Sequence, residues 1–199
     1  MKKLTINEII ENDKEIGKMT SEMVDKMSTV VSPIKSFNVI STLEFVSKEQ
    51  YEKDVEYDVT YTSHENLKLP TRATSGSAGY DFFTPTPIHL EPGESTVIKT
   101  GIRAKIDDGW ALIVMPKSGL GFNYSVKLAN TIGLIDSDYY NADNEGHIMV
   151  KLENRGDKVF ELHTGDKFAQ GVFIMYGISS TDNLNDKIER HGGFGSTGN

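Results

Sequence analysis

The 199-residue chain contains no cysteine, which excludes disulfides, thiolate metal sites and a cysteine nucleophile. Its five histidines, His64, His89, His147, His163 and His191, lack the spacing of a zinc-ligand set. No apolar run approaches the ~20 residues a membrane-spanning helix needs, and the N-terminus has no signal-peptide apolar region. A cytoplasmic protein with no membrane partner is therefore expected. Positive charge is scarce as well. The formal net charge is −8, and no Lys/Arg run is long enough to hold a polyanion against that background, so no nucleic-acid partner is expected. A phosphate-bearing ligand would have to be small, held by a few placed groups or with a metal ion. There is no internal repeat, and the C-terminal tail is the only low-complexity segment.

The hydrophobic share of 37% is enough for a globular core, and the length suits one domain with an appendage or one larger domain. Residues 1–54 read as an N-terminal extension. Thr5 and Glu8 have capping-box spacing, and Ile6, Ile9, Ile10, Ile16, Met19, Met23, Met27 and Val30 recur at threes and fours. The pattern predicts an amphipathic helix, weakened at Gly17 and ending before Pro33. Its apolar stripe needs a surface, which its own domain, a sister subunit or a separate protein partner would provide. Phe37–Val46 then reads as a strand and Ser47–Lys53 as a short helical or turn segment. Residues 55–189 read as a β core. Short apolar runs such as Val59–Tyr61, Thr96–Ile98, Ala111–Met115, His147–Leu152, Lys158–Leu162 and Gly171–Tyr176 are separated by turn residues, including Pro92-Gly93, Asp107-Asp108-Gly109 and Thr164-Gly165-Asp166. That density of strands indicates an all-β sandwich, jelly roll or barrel.

Chemistry is concentrated in a few segments. Gly133-Leu134-Ile135-Asp136-Ser137-Asp138-Tyr139 delivers two carboxylates at alternate positions before a tyrosine. In extended chain both point to one side, where one could activate a water while the other supports it. The same segment would also serve as a surface turn closing a hairpin. Lys117-Ser118-Gly119 places a cation, a hydroxyl and a flexible glycine at a strand end, which suits a phosphate contact or an ordinary turn. Asp81, after the small-residue loop from Thr71, could hold a water of a hydrated Mg²⁺ ion. Gln170 is an odd polar choice between Ala169 and Gly171. In residues 190–199, Phe194 sits among glycines with Ser196, Thr197 and Arg190 nearby. Such an arm could stack on a flat base and meet phosphate oxygens, and a loose solubilising terminus has the same composition.

Five of these segments together resemble the motifs of the trimeric dUTPase family. They are Ala78-Gly79-Tyr80-Asp81, Pro116–Leu120, Asn130 through Tyr139, Gly165–Gln170 and Gly192–Gly198, occurring in the family's order from about Tyr57 to the end. The resemblance implies a jelly-roll-like (β-clip) subunit with a flexible C-terminal arm of residues 190–199. It also implies a homotrimer whose shared active sites each borrow a neighbour's arm. In that arrangement Asp136 is the general base for a water attacking the α-phosphorus of dUTP, yielding dUMP and pyrophosphate. Ser118 and Gln170 meet the phosphate chain or its water, and Lys117 and Gly119 complete the phosphate loop. Uracil is read by the hairpin of Asn130, Gly133 and Ile135, with Tyr139 under the deoxyribose. Arg190, Phe194, Gly195, Ser196 and Thr197 close the site, and Mg²⁺ is reached through water by Asp81. Tight closure on uracil C5 would reject thymine sterically. The sequence departs from the family pattern at Lys117 and Lys167, where arginine is usual, since lysine lacks the bidentate fork. It departs again at Tyr140-Asn141, in place of Arg-Gly, and at a small insertion, Ala142–Glu145. The other readings are a dCTP deaminase-like enzyme and an interaction module on the same fold.

Overall fold

A computed structural model describes residues 41–56, 58–182 and 192. The expected helix over residues 5–30 and the start of the strand at 37–40 lie outside the described residues. The chain divides after Val39, so the segment from residue 41 belongs with the unit that carries the sheets.

That unit opens with β1 (Thr42–Phe45) and α1 (Lys48–Val55). Ser47 caps α1 because its hydroxyl accepts the Gln50 N–H at 3.0 Å, satisfying one of the amides a helix start leaves orphaned. Glu56, at φ 55°, ends it. Short strands follow: β2 (Thr71–Arg72), β3 (Tyr80–Phe83), β4 (Ile88–Leu90), β5 (Ser95–Lys99), β6 (Ile102–Lys105) and β7 (Trp110–Pro116). After α2 (Ser118–Tyr124) come β8 (Val126–Leu128), β9 (Gly133–Ile135), a 3-10 turn (Ser137–Asn141), β10 (Met149–Asn154), β11 (Phe160–Leu162) and β12 (Lys167–Met175). All described pairings are antiparallel. They build a five-stranded sheet in the order β2-β3-β12-β7-β9, a three-stranded sheet β5-β10-β8, and two pairs, β1-β6 and β11-β4.

The core explains this layering. Phe82, Leu112, Val114 and Phe168 from the large sheet close against Ile98, Val126, Leu128 and Leu152 from the three-stranded sheet, with Ile88, Phe160 and Ile102 from the two pairs. Each sheet buries its alternate residues, and the result is the jelly-roll-like all-β architecture that the sequence indicates. Gly171 is part of this packing. A Cβ there would come within 2.9 Å of both Leu112 and Phe82, so the bare backbone lets those side chains meet. A second cluster, Val46, Tyr51 and Val55 with Tyr61 and Leu67, fastens α1 to the same unit.

Several local expectations change. Val59–Tyr61 is a turn, because the Asp58 carboxylate accepts both the Thr60 N–H and its hydroxyl, a local alternative to strand pairing. His147 precedes β10 rather than opening it. Ser118 begins a helix, not a simple turn. Residues 42–54, grouped with the extension by sequence, form a strand paired to β6 and most of a helix with its own buried cluster.

Candidate active site

The large sheet organises the motif residues by register. Asp81 on β3 stands opposite Gln170 on β12, which stands opposite Met115 on β7. Directly opposed residues share a face, so a carboxylate and an amide lie side by side at one end of the sheet. Gly79 makes room for the amide, since a Cβ there would sit 3.0 Å from the Gln170 Oε1. This explains the odd polar residue between Ala169 and Gly171, because strand alternation turns Gln170 away from the core that its neighbours fill.

Asp81 is the electrostatic centre of this end. Its side chain is 4% exposed, with Lys117 Nζ donating to Oδ1 at 2.6 Å and Lys167 Nζ 2.8 Å from Oδ2. Burial would raise the carboxyl pKa, but hydrogen bonds and charge from the two lysines outweigh it and hold Asp81 below its ordinary value. Two cations on one carboxylate leave the cluster net positive. Lys117 occupies the residue before α2, and Ser118 and Gly119 follow, both exposed. A Cβ at Gly119 would meet only the Asn123 amide, at 3.8 Å, so the backbone there lies open to an anionic group. The resemblance puts Lys117 in the phosphate loop and Lys167 where arginine is usual, and their shared grip on Asp81 is legible only in three dimensions.

The second half of the site is a cavity of about 220 Å³ lined by Val114, Leu128, Asn130, Gly133, Ile135 and Ile148, among others. Its apolar walls come from β7, β8 and β10, which no motif spacing revealed. Asn130 and Ile132 lie in the turn between β8 and β9, where the Ile132 N–H bonds the Asn130 carbonyl at 2.8 Å. Asp136 follows β9 and begins the 3-10 turn, half-buried. Asp138 lies inside that turn, so the expected pairing of the two carboxylates on one side of an extended chain does not form. Tyr139 is 6% exposed and donates its hydroxyl to the His147 carbonyl at 2.8 Å. Its ring is packed inward rather than presented as an open face. Arg190, Phe194, Gly195, Ser196 and Thr197 lie outside the described residues.

Asp136 and the lysine cluster are not adjacent within one chain. Ile135 pairs with Leu112, so Asp136 lies level with the Ala111 end of β7, while Gln170 and Asp81 lie level with Met115. Four residues at 3.3 Å, and three strand spacings from β9 to β3, separate the backbones of Asp136 and Asp81 by about 20 Å.

The dUTPase family model matches residues 65–198. The chain belongs to the dUTPase family. A deoxyuridine 5'-triphosphate nucleotidohydrolase of Hahella chejuensis is 41% identical over 138 residues, 66% of this chain and 88% of that protein. One from Lactococcus lactis is 37% identical over 141 residues, 70% and 94% of the two chains. Among solved structures, the dUTPase of Streptococcus mutans superposes with a TM-score of 0.56 at 31% identity, covering 69% of this chain and 98% of that one. A phage phi11 dUTPase, solved with attention to a structural Mg(II) ion, superposes at 0.54 and 19% identity over 73% and 97% of the chains; at that identity it supports the fold alone. Residues 41–64, with β1 and α1, fall before the family match.

The described residues do not fit a magnesium ion held by the protein itself. No group of three His, Asp or Glu side chains is placed to bind a metal among them, and both Asp81 oxygens face lysine ammoniums, whereas Mg²⁺ seeks free anionic oxygen. No described helix is long and apolar enough to cross a membrane.

Proposed function

We propose that the chain hydrolyses dUTP to dUMP and pyrophosphate at a site shared between copies of itself, with Asp136 as general base. The observation that carries the reading is the sheet register, which sets a cationic cluster at one end of the large sheet and Asp136 at the other. A base that activates water at the α-phosphorus and cations that meet the phosphate chain must both reach one nucleotide, so a separation of about 20 Å within one chain supports a homo-oligomer in which neighbouring chains contribute them, the trimer that the resemblance implies. The sheet face beside Asp81 and Gln170 carries Met115, Ile113, Val172, Ile174 and Leu134, and Leu134 is 58% exposed in the single chain. An apolar face left open suits burial by a second copy.

Uracil occupies the cavity against Gly133 and Ile135, read by backbone groups and the Asn130 amide. Little room at C5 excludes a thymine methyl, and cytosine presents the reversed donor and acceptor order. Tyr139, fixed by its hydroxyl bond, supports from inside the turn that lies beneath the deoxyribose. Asp136 takes a proton from a water as its oxygen attacks the α-phosphorus, and the bond to the bridging oxygen breaks to release pyrophosphate. Phosphoryl chemistry of this kind depends on alignment and charge neutralisation rather than on a covalent intermediate. Lys117, Lys167, Ser118, Gly119 and Gln170 supply part of that neutralisation. Magnesium accompanies the triphosphate as its counter-ion, outside any protein cage. The arm bearing Arg190, Phe194, Gly195, Ser196 and Thr197 closes the site.

Purified full-length protein should release pyrophosphate from dUTP and little from dTTP, dCTP or UTP. Asp136→Asn should lower kcat by about 10²–10⁴. Intact dUTP, or a full rate in the Asn variant, would refute the reading. Ammonia release from dCTP would indicate a deaminase instead.

A further inference from the structure

The 3-10 turn that carries Asp136 and Tyr139 lies beyond the last ladder pair of its own sheet. Strand β9 is an edge strand that ends at Ile135, and within the turn the Tyr139 N–H bonds the Asp136 carbonyl at 3.3 Å and the Ala142 N–H the Tyr139 carbonyl at 3.0 Å. Further bonds reach it from β6 and β1. The Arg103 guanidinium on β6 lies 3.5 Å from the centre of the Tyr140 ring and donates to the Tyr140 carbonyl at 3.1 Å. The Tyr140 hydroxyl donates to Glu44 of β1 at 3.0 Å. Glu44 stands opposite Arg103 in the β1–β6 register, so the ring, the guanidinium and the carboxylate form one closed set.

The insertion is bound to the same segment. Glu145 accepts the Ser47 N–H at 2.8 Å and the Ser47 hydroxyl at 2.7 Å, bonds that tie it to the first residue of α1's cap. Beyond it, His147 donates from Nδ1 to Asp54 of α1 at 2.6 Å, its Nε2 accepting the Gly101 N–H at 2.7 Å. Between these links the loop folds back on the turn. A Cβ at Gly146, φ 70°, would stand 2.6 Å from the Tyr139 carbonyl oxygen and 2.8 Å from the Tyr140 Cα. Three features that otherwise look unrelated are thus in mutual contact: Tyr140 in place of arginine, the 142–145 insertion, and a strand and helix preceding the family match.

We propose that Glu44, Ser47 and Asp54 are positioning residues for dUTP hydrolysis, acting through Tyr140, Glu145 and His147 to hold the Asp136 turn in register with its substrate. The inference rests on the assignment of Asp136 as the base. It gives residues 41–55 a role in turnover: they replace, from outside the family's own segment, the anchoring that the strand ladder does not extend past Ile135. A turn free to shift by about 1 Å loses alignment of the attacking water far sooner than it loses affinity for the base and phosphates.

The test is a kinetic cycle in the full chain with Glu44→Gln, Tyr140→Phe and their combination, plus Glu145→Gln, with Lys48→Ala as control. Lys48 pairs with Glu65 on the exposed side of α1 and touches none of these groups. Each bracket variant is expected to lower kcat about tenfold with the KM for dUTP changed less than about twofold. The double variant is expected to fall no further than its worse parent, because both changes open one link. Tyr140→Phe keeps its ring on Arg103, so it should retain more activity than Tyr140→Ala. Wild-type kcat in Glu44→Gln, Tyr140→Phe and Glu145→Gln would overturn the proposal, as would multiplicative losses in the double variant or an equal loss in Lys48→Ala. Asp136→Asn in the same assay separates the two claims. If it is inactive while the bracket variants are normal, the bracket alone fails; if it is fully active, the base assignment fails.

Discussion

Replacing Asp81 with asparagine is the sharpest probe of the lysine clamp, because it keeps the shape of the side chain while removing its charge and turning one acceptor oxygen into a donor. The carboxylate is 4% exposed and receives two ammonium groups, at 2.6 and 2.8 Å. Breaking a fully buried pair costs about 3–5 kcal/mol because a charge is stranded. Here Lys117 is 30% and Lys167 44% exposed, so both can turn toward water, and the expected loss shrinks to about 2 kcal/mol, near that of one charge-assisted hydrogen bond. The pH dependence gives the test its direction. The folded pKa of Asp81 lies below the unfolded value of about 3.9, so the native state binds the proton less readily. Its contribution is present above the unfolded pKa and is lost as pH falls through the folded one. Urea midpoints of wild type and Asp81→Asn should therefore differ at pH 7 and converge below about pH 4. Equal stability at pH 7, or a difference that does not change with pH, would refute this account of the site.

Three further outcomes follow from the geometry. His147 is fully buried, and burial lowers its pKa despite the opposing bond and charge of Asp54; the folded state thus binds fewer protons, and stability should fall as pH drops through the unfolded pKa of about 6.5, a slope that His147→Gln should flatten in urea titrations. Gly146→Ala should lower the free energy of unfolding by about 1–2 kcal/mol from its left-handed backbone alone, and kcat by more than the change in KM, because the added carbon meets the Tyr139 carbonyl. Deleting residues 190–199 should leave the assembly intact by light scattering while turnover collapses, and a surviving rate would remove the arm from the mechanism.

Much of the site was legible because its residues stand in contiguous segments. Strands β5, β7 and β12 follow from short apolar runs between turn residues, and Ser47 heads a helix where a short helical segment was expected. The failures have local physical causes. The Asp58 carboxylate captured the amide of Thr60 and ended a β-like run at Val59–Tyr61. Between the extended chain and the turn that the sequence allows for Asp136 and Asp138, the structure takes the turn: the strand stops at Ile135 and a 3-10 turn, with no period of two, follows. The apolar cavity walls at Leu128 and Ile148 carry no motif, because any apolar residue of suitable size would serve there.

By itself the sequence determined the family, the order of the five motifs and the all-β class, since these depend on residue identity and on spacing along the chain. The tertiary structure alone decided that Lys117 and Lys167, fifty residues apart, share one buried carboxylate. It also decided that Asp136 stands at the far end of its sheet from Asp81 and Gln170, and that Glu44 reaches the turn behind it while Ser47 holds Glu145 in the loop that follows. The physical reason is common to all three. Strand register and side-chain reach bring together groups with no relation in the chain, and a Coulomb or hydrogen-bond energy depends on the few ångströms between atoms, not on the number of residues that separate them.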